Sequence, residues 1–293
     1  MAEQGAADRA ALPDFWPHRA ASRFVDAGGL RWHLQEFGPG DTPDAPVALL
    51  LHGTGASAHS WRGLAPLLAT RWRVVAPDLP GHGFTSRPPS GGLSLDGMAQ
   101  ALSALLAALG LRPQWLVGHS AGAAIAARLC LDGAAAPQAL VSLNGAWFPP
   151  GGSGGWWYAP MAKLLALNPL VPHLAAWHAG NERVLRRLIA GTGSRLDDEG
   201  VRQYRKLLRD PRHVGAVLAM MAAWDLPPLL RELPRLAVPL HLVACAHDRA
   251  VPPALAARVQ ALVPTARVHR LPALGHLAHE EDPAAVARLL ATL

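Results

Sequence analysis

The stretch Trp115-Leu116-Val117-Gly118-His119-Ser120-Ala121-Gly122 decides the reading of this chain. An apolar segment with strand character ends at Val117, and an Ala-rich helical segment runs from Ala121 to Leu131. A Gly-x-Ser-x-Gly pentapeptide between a strand and a helix makes a tight turn that lifts the serine above the sheet, with glycines sparing the flanking backbone a clash. The same five residues also describe an ordinary glycine turn, so the rest of the sequence has to supply partners for the Ser120 hydroxyl.

Upstream, Leu51-His52-Gly53-Thr54-Gly55 follows a strand expected over 47–51. The backbone N–H of Thr54 can meet that of Ala121 to form two donors for a developing oxyanion. A serine also needs a base, and the base an orienting acid. Asp248 follows the strand expected over 240–245, and His276 follows the next, over 267–271. Both therefore stand at carboxyl ends of successive strands, where sites in open α/β sheets collect. Asn144 stands where an alternative acid could be, but an amide cannot stabilise an imidazolium as a carboxylate does. Asp78 precedes Ser120 and sits in a Pro-Gly turn, which suits a structural role. His279 and Glu280 do not complete a zinc-binding order with His276, so no metal site is expected.

Around these motifs, short Val/Leu-rich runs alternate with Ala/Leu-rich helices, as in a mostly parallel sheet covered on both faces. Strands are expected over 30–37, 47–51, 72–76, 115–117, 139–143, 240–245 and 267–271, and helices over 61–69, 95–109, 121–131, 253–262 and 283–290. The alternation fails between about Trp147 and Arg231, where short helices over 182–190, 197–208 and 212–223 replace it. The expected organisation is an α/β core from 1–148 and 232–293, with a helical cap inserted at 149–231.

Composition narrows the class. Hydrophobic residues make up 51% of 293 residues and charged residues 16%, enough apolar surface for a packed core. The longest run free of Asp, Glu, Lys and Arg, from Gly133 to Ala162, is broken by Pro137, Pro149, Pro150 and the glycines that follow, so no transmembrane helix is expected there. The N-terminal residues lack the charged-then-apolar order of a secretory signal, which points to the cytoplasm. The 25 Arg and 2 Lys are scattered, without a basic tract or an RNA-binding aromatic motif, so nucleic acid is not an expected partner. Cys130 and Cys245 lie in apolar runs and read as buried thiols. Residues 149–231 hold eleven basic and six acidic side chains, a local net of +5 in a chain of net +6.

The inserted region and its flank also hold Trp147, Trp156, Trp157, Trp177 and Trp224, with Met220 and Met221. Each can serve as packing. As a group above the serine they also fit a wide apolar pocket for a bulky planar ligand, with His119, Trp147, Trp224 and Met221 as candidate substrate contacts.

Over nearly its whole length the chain resembles the α/β-hydrolase family. At finer grain it resembles the magnesium chelatase accessory hydrolases of bacteriochlorophyll biosynthesis, the BchO type. The phrases that carry this are Leu51-His52-Gly53-Thr54-Gly55-Ala56-Ser57-Ala58-His59-Ser60-Trp61, Gly118 to Ala124, Ser142-Leu143-Asn144-Gly145-Ala146, Leu188-Ile189-Ala190-Gly191-Thr192-Gly193-Ser194 and Met220-Met221-Ala222-Ala223-Trp224-Asp225-Leu226. The last two are the more discriminating. Cys245 is a departure, since relatives often carry glycine there. The resemblance implies a cytoplasmic protein, peripheral at the photosynthetic membrane, acting around magnesium insertion into protoporphyrin, with porphyrin precursors and chelatase subunits as partners and no cofactor. The expected activity is hydrolysis of an ester of a bulky hydrophobic substrate by Ser120, His276 and Asp248, with Thr54 and Ala121 at the oxyanion. The alternative is a non-catalytic tetrapyrrole-binding accessory protein.

Overall fold

The computed structural model describes residues 12–38, 45–149, 168 and 170–293. Eight strands form one sheet: β1 (Ser22–Ala27), β2 (Leu30–Phe37), β3 (Val47–Leu51), β4 (Arg73–Pro77), β5 (Trp115–His119), β6 (Ala139–Leu143), β7 (Leu240–Cys245) and β8 (Arg267–Leu271). Their order is β1-β2-β4-β3-β5-β6-β7-β8. All neighbours from β4 to β8 run parallel, while β2 is antiparallel to both β1 and β4.

The central strands are buried on both faces, which is why they read as unbroken apolar runs. Every residue of β3, β6 and β7 is buried. Successive side chains take opposite faces: Leu49 and Leu51 pack in one core cluster with Leu102, Ile125 and Leu129, Ala48 and Leu50 in the other with Trp61, Leu64 and Val286. The flanking helices are α1 (Leu64–Leu68), α2 (Leu95–Leu109), α3 (Ala121–Leu131), and, after β7, α9 (Leu255–Leu262), α10 (Ala278–Glu281) and α11 (Pro283–Leu290). The single helix expected over 61–69 is instead a 3-10 turn, Ala58–Trp61, followed by α1.

The sequence reading missed β1. Its residues, Ser-Arg-Phe-Val-Asp-Ala, form no apolar run because only its first and last residues are buried. Gly28 and Gly29, at φ +56° and +76°, close the β1–β2 hairpin, the positive-φ pair that a two-residue hairpin turn requires.

Between β6 and β7 lie α4 (Leu170–Ala179), α5 (Glu182–Gly191), α6 (Asp198–Leu207), α7 (Pro211–Ala223) and α8 (Pro227–Glu232). The side chains of Asn181, Asp197 and Asp210 cap α5, α6 and α7 by accepting from N–H groups of their first turns, which satisfies donors no helix can pair internally. Arg128 on α3 grips both carboxylate oxygens of Glu232 at 3.1 and 3.0 Å, fixing the point where the chain returns to the sheet. Pro150, Trp156 and Trp157 fall outside the described residues. No single described helix is long and apolar enough to cross a membrane.

Candidate active site

β5 runs into α3 through Ser120 alone, whose backbone sits at φ +53°, ψ −118°. A non-glycine residue there stores strain of about 1–3 kcal/mol. The surroundings enforce it. A Cβ on Gly118 would lie 2.5 Å from the Ala123 backbone, and one on Gly122 would lie 2.2 Å from the Leu51 carbonyl oxygen. Ser120 N–H donates to Leu143 O at 3.0 Å, and Ser120 O accepts from Ala146 N–H at 3.0 Å, tying the turn to β6.

The loop after β3 closes on this turn. A Cβ at Gly53 would meet Ser120 Cβ at 3.0 Å and His119 Nδ1 at 2.8 Å. His52 Nε2 accepts from Leu79 N–H at 2.9 Å, so its proton is on Nδ1, which donates to Gly53 O at 2.8 Å. Burial lowers the His52 pKa, in keeping with this neutral form. Among the described residues, neither the N–H of Thr54 nor that of Ala121 donates to a backbone acceptor outside the helix ladders. Ala121 opens α3, where N–H groups lack intrahelical acceptors. From above, α7 touches the same loop: Thr54 Oγ1 lies 3.8 Å from Met220 Sδ, and His213 bridges Gly83 N–H, at 3.2 Å, to Gly55 O, at 3.3 Å.

Asp248 and His276 meet across adjacent loops. Asp248 Oδ1 accepts from the N–H groups of Ala250 and Val251, each at 2.8 Å, and Oδ2 lies 2.8 Å from His276 Nδ1. With both oxygens engaged, the carboxylate cannot swing away from the imidazole. The His276 backbone is held as firmly. Its carbonyl accepts from His119 Nε2 at 2.9 Å and Asn144 Nδ2 at 3.0 Å. Asn144, at φ +46°, also donates to Gly275 O at 3.0 Å and accepts from Cys245 N–H at 3.0 Å. The amide considered as a rival acid thus buttresses the histidine loop. His119 is 2% exposed beneath His276, with ring centroids 4.7 Å apart.

A third element reaches this pair. The turn from α5 to α6 passes between the two loops: Thr192 O accepts from Arg249 N–H at 3.1 Å, and buried Ser194 Oγ accepts from Leu277 N–H at 2.8 Å. Gly193, at φ +84°, passes so close that a Cβ would stand 1.8 Å from His247 O. Sequence reasoning did not assign Ser194 or Asn144 to the site. For Ser194 the signal was its place in the resemblance phrase Leu188 to Ser194, and for Asn144 its place after a strand, where it was weighed only as an alternative acid.

The remaining candidates are dispersed. Asp78 lies apart from the Asp248–His276 pair, accepting from His33 Nδ1, Ala58 N–H and Phe84 N–H at 2.7–2.8 Å. Burial opposes its charge, but His33 and these donors hold its pKa down to about 2. Trp147 is buried, its Nε1 donating to Ser142 Oγ at 3.1 Å. Trp224 and Met221 are half-buried at the end of α7. Trp177 is 80% exposed on α4, so the described tryptophans do not form one group. Among the described residues no three His, Cys, Asp or Glu side chains are placed to hold a metal.

A strained serine at a strand-to-helix turn, a glycine-containing loop closed on it and an Asp–His pair on a mostly parallel sheet define a class, and residues 48–289 match its family, the Alpha/beta hydrolase family, to which the chain belongs. Within it, the chain is 40% identical to the Magnesium-chelatase 30 kDa subunit of Rhodobacter capsulatus over 273 residues, covering 93% of this chain and 94% of that one. It is also 27% identical over 279 residues to 2-hydroxy-6-oxo-6-phenylhexa-2,4-dienoate hydrolase of Burkholderia cepacia, covering 89% and 90%. The crystal structure of Cfl2 from Burkholderia cenocepacia superposes with a TM-score of 0.74 at 25% identity, over 92% of this chain and 94% of that one.

Proposed function

We propose that the protein is a serine hydrolase acting on a carboxylic ester of a bulky hydrophobic substrate, in a step linked to magnesium insertion in bacteriochlorophyll biosynthesis. The observation that carries the reading is the 2.8 Å Asp248–His276 bond beside the strained turn at Ser120. In this reading His276 takes the Ser120 proton as the hydroxyl attacks the carbonyl carbon, forming a tetrahedral oxyanion held by the N–H groups of Thr54 and Ala121. The imidazolium then protonates the leaving alkoxide as the acyl C–O bond breaks, and water, deprotonated by the same ring, releases the acid. The helices between β6 and β7 act as a cap, with α7 over the oxyanion loop. The link to magnesium insertion rests on the 40% identity to a chelatase subunit.

A fluorophosphonate probe is expected to label Ser120, and His276→Ala to suppress labelling by removing the base. No labelling of folded wild-type protein would reject the mechanism. The similarity to a chelatase subunit also favours a second reading, a tetrapyrrole-binding accessory protein that contacts chelatase subunits. That reading requires saturable protoporphyrin IX binding that survives Ser120→Ala and weakens in Trp224→Ala.

A further inference from the structure

Helix α4 turns its largest apolar side chains to solvent. Leu170, Leu174 and Trp177 are 65%, 63% and 80% exposed, and their i, i+4, i+7 spacing places them on one side of the helix. Ala176, on the opposite side, is buried where α4 packs against α7. On the next helix, α5, Leu188 is 57% exposed. The only other large hydrophobics exposed among the described residues are Phe15 and Leu67, at 37% and 42%.

The unpaired charge around this face is positive. Arg183 and Arg187 are exposed one turn apart on α5. Arg209 lines the same cleft of about 540 Å³ as Trp177, with its Nε 3.0 Å from where a Cβ on Gly180 would sit. None of these three arginines has an ion-pair partner among the described residues. The acidic side chains of α5 to α7 are all engaged: Glu182 with Arg186 and Arg205, Asp197 with Arg62, Asp198 with Arg186, Glu199 with Arg202 and Asp210 with Arg212. The positive charge left over is therefore uncompensated beside the apolar face.

A helix face carrying leucines and a tryptophan, flanked by free arginines, has the chemistry of an interfacial helix. The apolar side chains enter the acyl boundary, the indole sits at headgroup level, and guanidinium groups meet lipid phosphates. We propose that α4 and the adjoining face of α5 dock the protein on an anionic lipid bilayer. Docking is independent of the chemistry assigned to Ser120.

The test is cosedimentation of the full chain with phosphatidylcholine vesicles, with and without phosphatidylglycerol. Wild type and Ser120→Ala are expected to bind the anionic vesicles alike and the neutral ones more weakly. The double variant Leu174→Ser/Trp177→Ser is expected to lose at least ~10-fold in partitioning. Arg183→Glu/Arg187→Glu is expected to abolish the preference for anionic lipid, with circular dichroism confirming that both variants fold. Absence of wild-type binding to anionic vesicles overturns the proposal, as does equal binding by the Leu174/Trp177 variant. A wild-type dimer that this variant dissociates, without vesicle binding, overturns it in favour of an interface between copies.

Discussion

Ser194 Oγ accepts a 2.8 Å hydrogen bond from the N–H of Leu277, the residue that follows His276. Both residues are buried, so Ser194→Ala leaves a buried donor without its partner. The expected cost is about 1–3 kcal/mol, read as a lower urea midpoint at unchanged m-value. Ester turnover should fall with it, because the histidine loop loses a tether. Unchanged stability and turnover would show that the contact is dispensable.

Gly193 and Gly191 offer a matched pair two residues apart. At Gly193 an alanine meets the His247 carbonyl at 1.8 Å and a φ of +84°, whereas at Gly191 it meets nothing within 4 Å. Gly193→Ala should therefore destabilise by more than ~1 kcal/mol and impair hydrolysis. Gly191→Ala, near the end of a helix, should be neutral or gain up to about 1 kcal/mol. Thermal melts of the two variants decide this, and equal melting temperatures would argue against the tight passage at Gly193.

Asp248→Asn should preserve the fold, because the amide oxygen can still accept from Ala250 and Val251. Its NH₂ group would then face His276 Nδ1 and impose the tautomer with the proton on Nε2, which cannot take one from Ser120. Turnover of an aryl ester should drop by up to ~10⁴-fold. A loss below tenfold would reject Asp248 as the orienting acid.

Acid should destabilise the protein. Burial lowers the pKa values of His59, His82 and His119 well below the ordinary histidine range, that of His213 to about 4 and that of His279 to about 3. Below pH ~6.5 the unfolded chain binds protons that the folded one refuses, so stability falls with pH by up to about 1.4 kcal/mol per unit for each group. Glu280 acts in the opposite sense: burial raises its pKa to about 7, so the folded state takes up its proton first and gains stability as pH falls from 7 towards 4.5. Urea midpoints should therefore decrease between pH 7 and 5, and more steeply in Glu280→Gln. A shallower fall in that variant would contradict the assignment.

Strands buried on both faces were legible because burial itself demands an apolar run, and β3, β6 and β7 span the residues expected of them. The edge strand β1 was not, because Arg23 to Val25 are only half-buried and Asp26 is exposed, which makes no such demand. The Gly28-Gly29 pair between two short segments was the readable sign. The site divides the same way. Ser120, Asp248 and His276 follow strands, and their places come from the order of elements. The role of Asn144 depends on contacts with Gly275 and His276 more than 130 residues away, which no local pattern encodes. Trp177 read as part of an aromatic group because composition carries no direction, while the helix it lies on faces it outward.

His276 follows Ser120 by 156 residues, with the turn from α5 to α6 and Asp248 lying between them in the chain. During synthesis the elbow of β5 and α3 can form on the ribosome long before its base exists, and the turn from α5 to α6 must settle between the last two loops before the pair is gripped. Under the proposed mechanism, a growing chain that has not yet reached His276 thus carries an unreactive hydroxyl, and hydrolytic competence arrives with the last of the three loops.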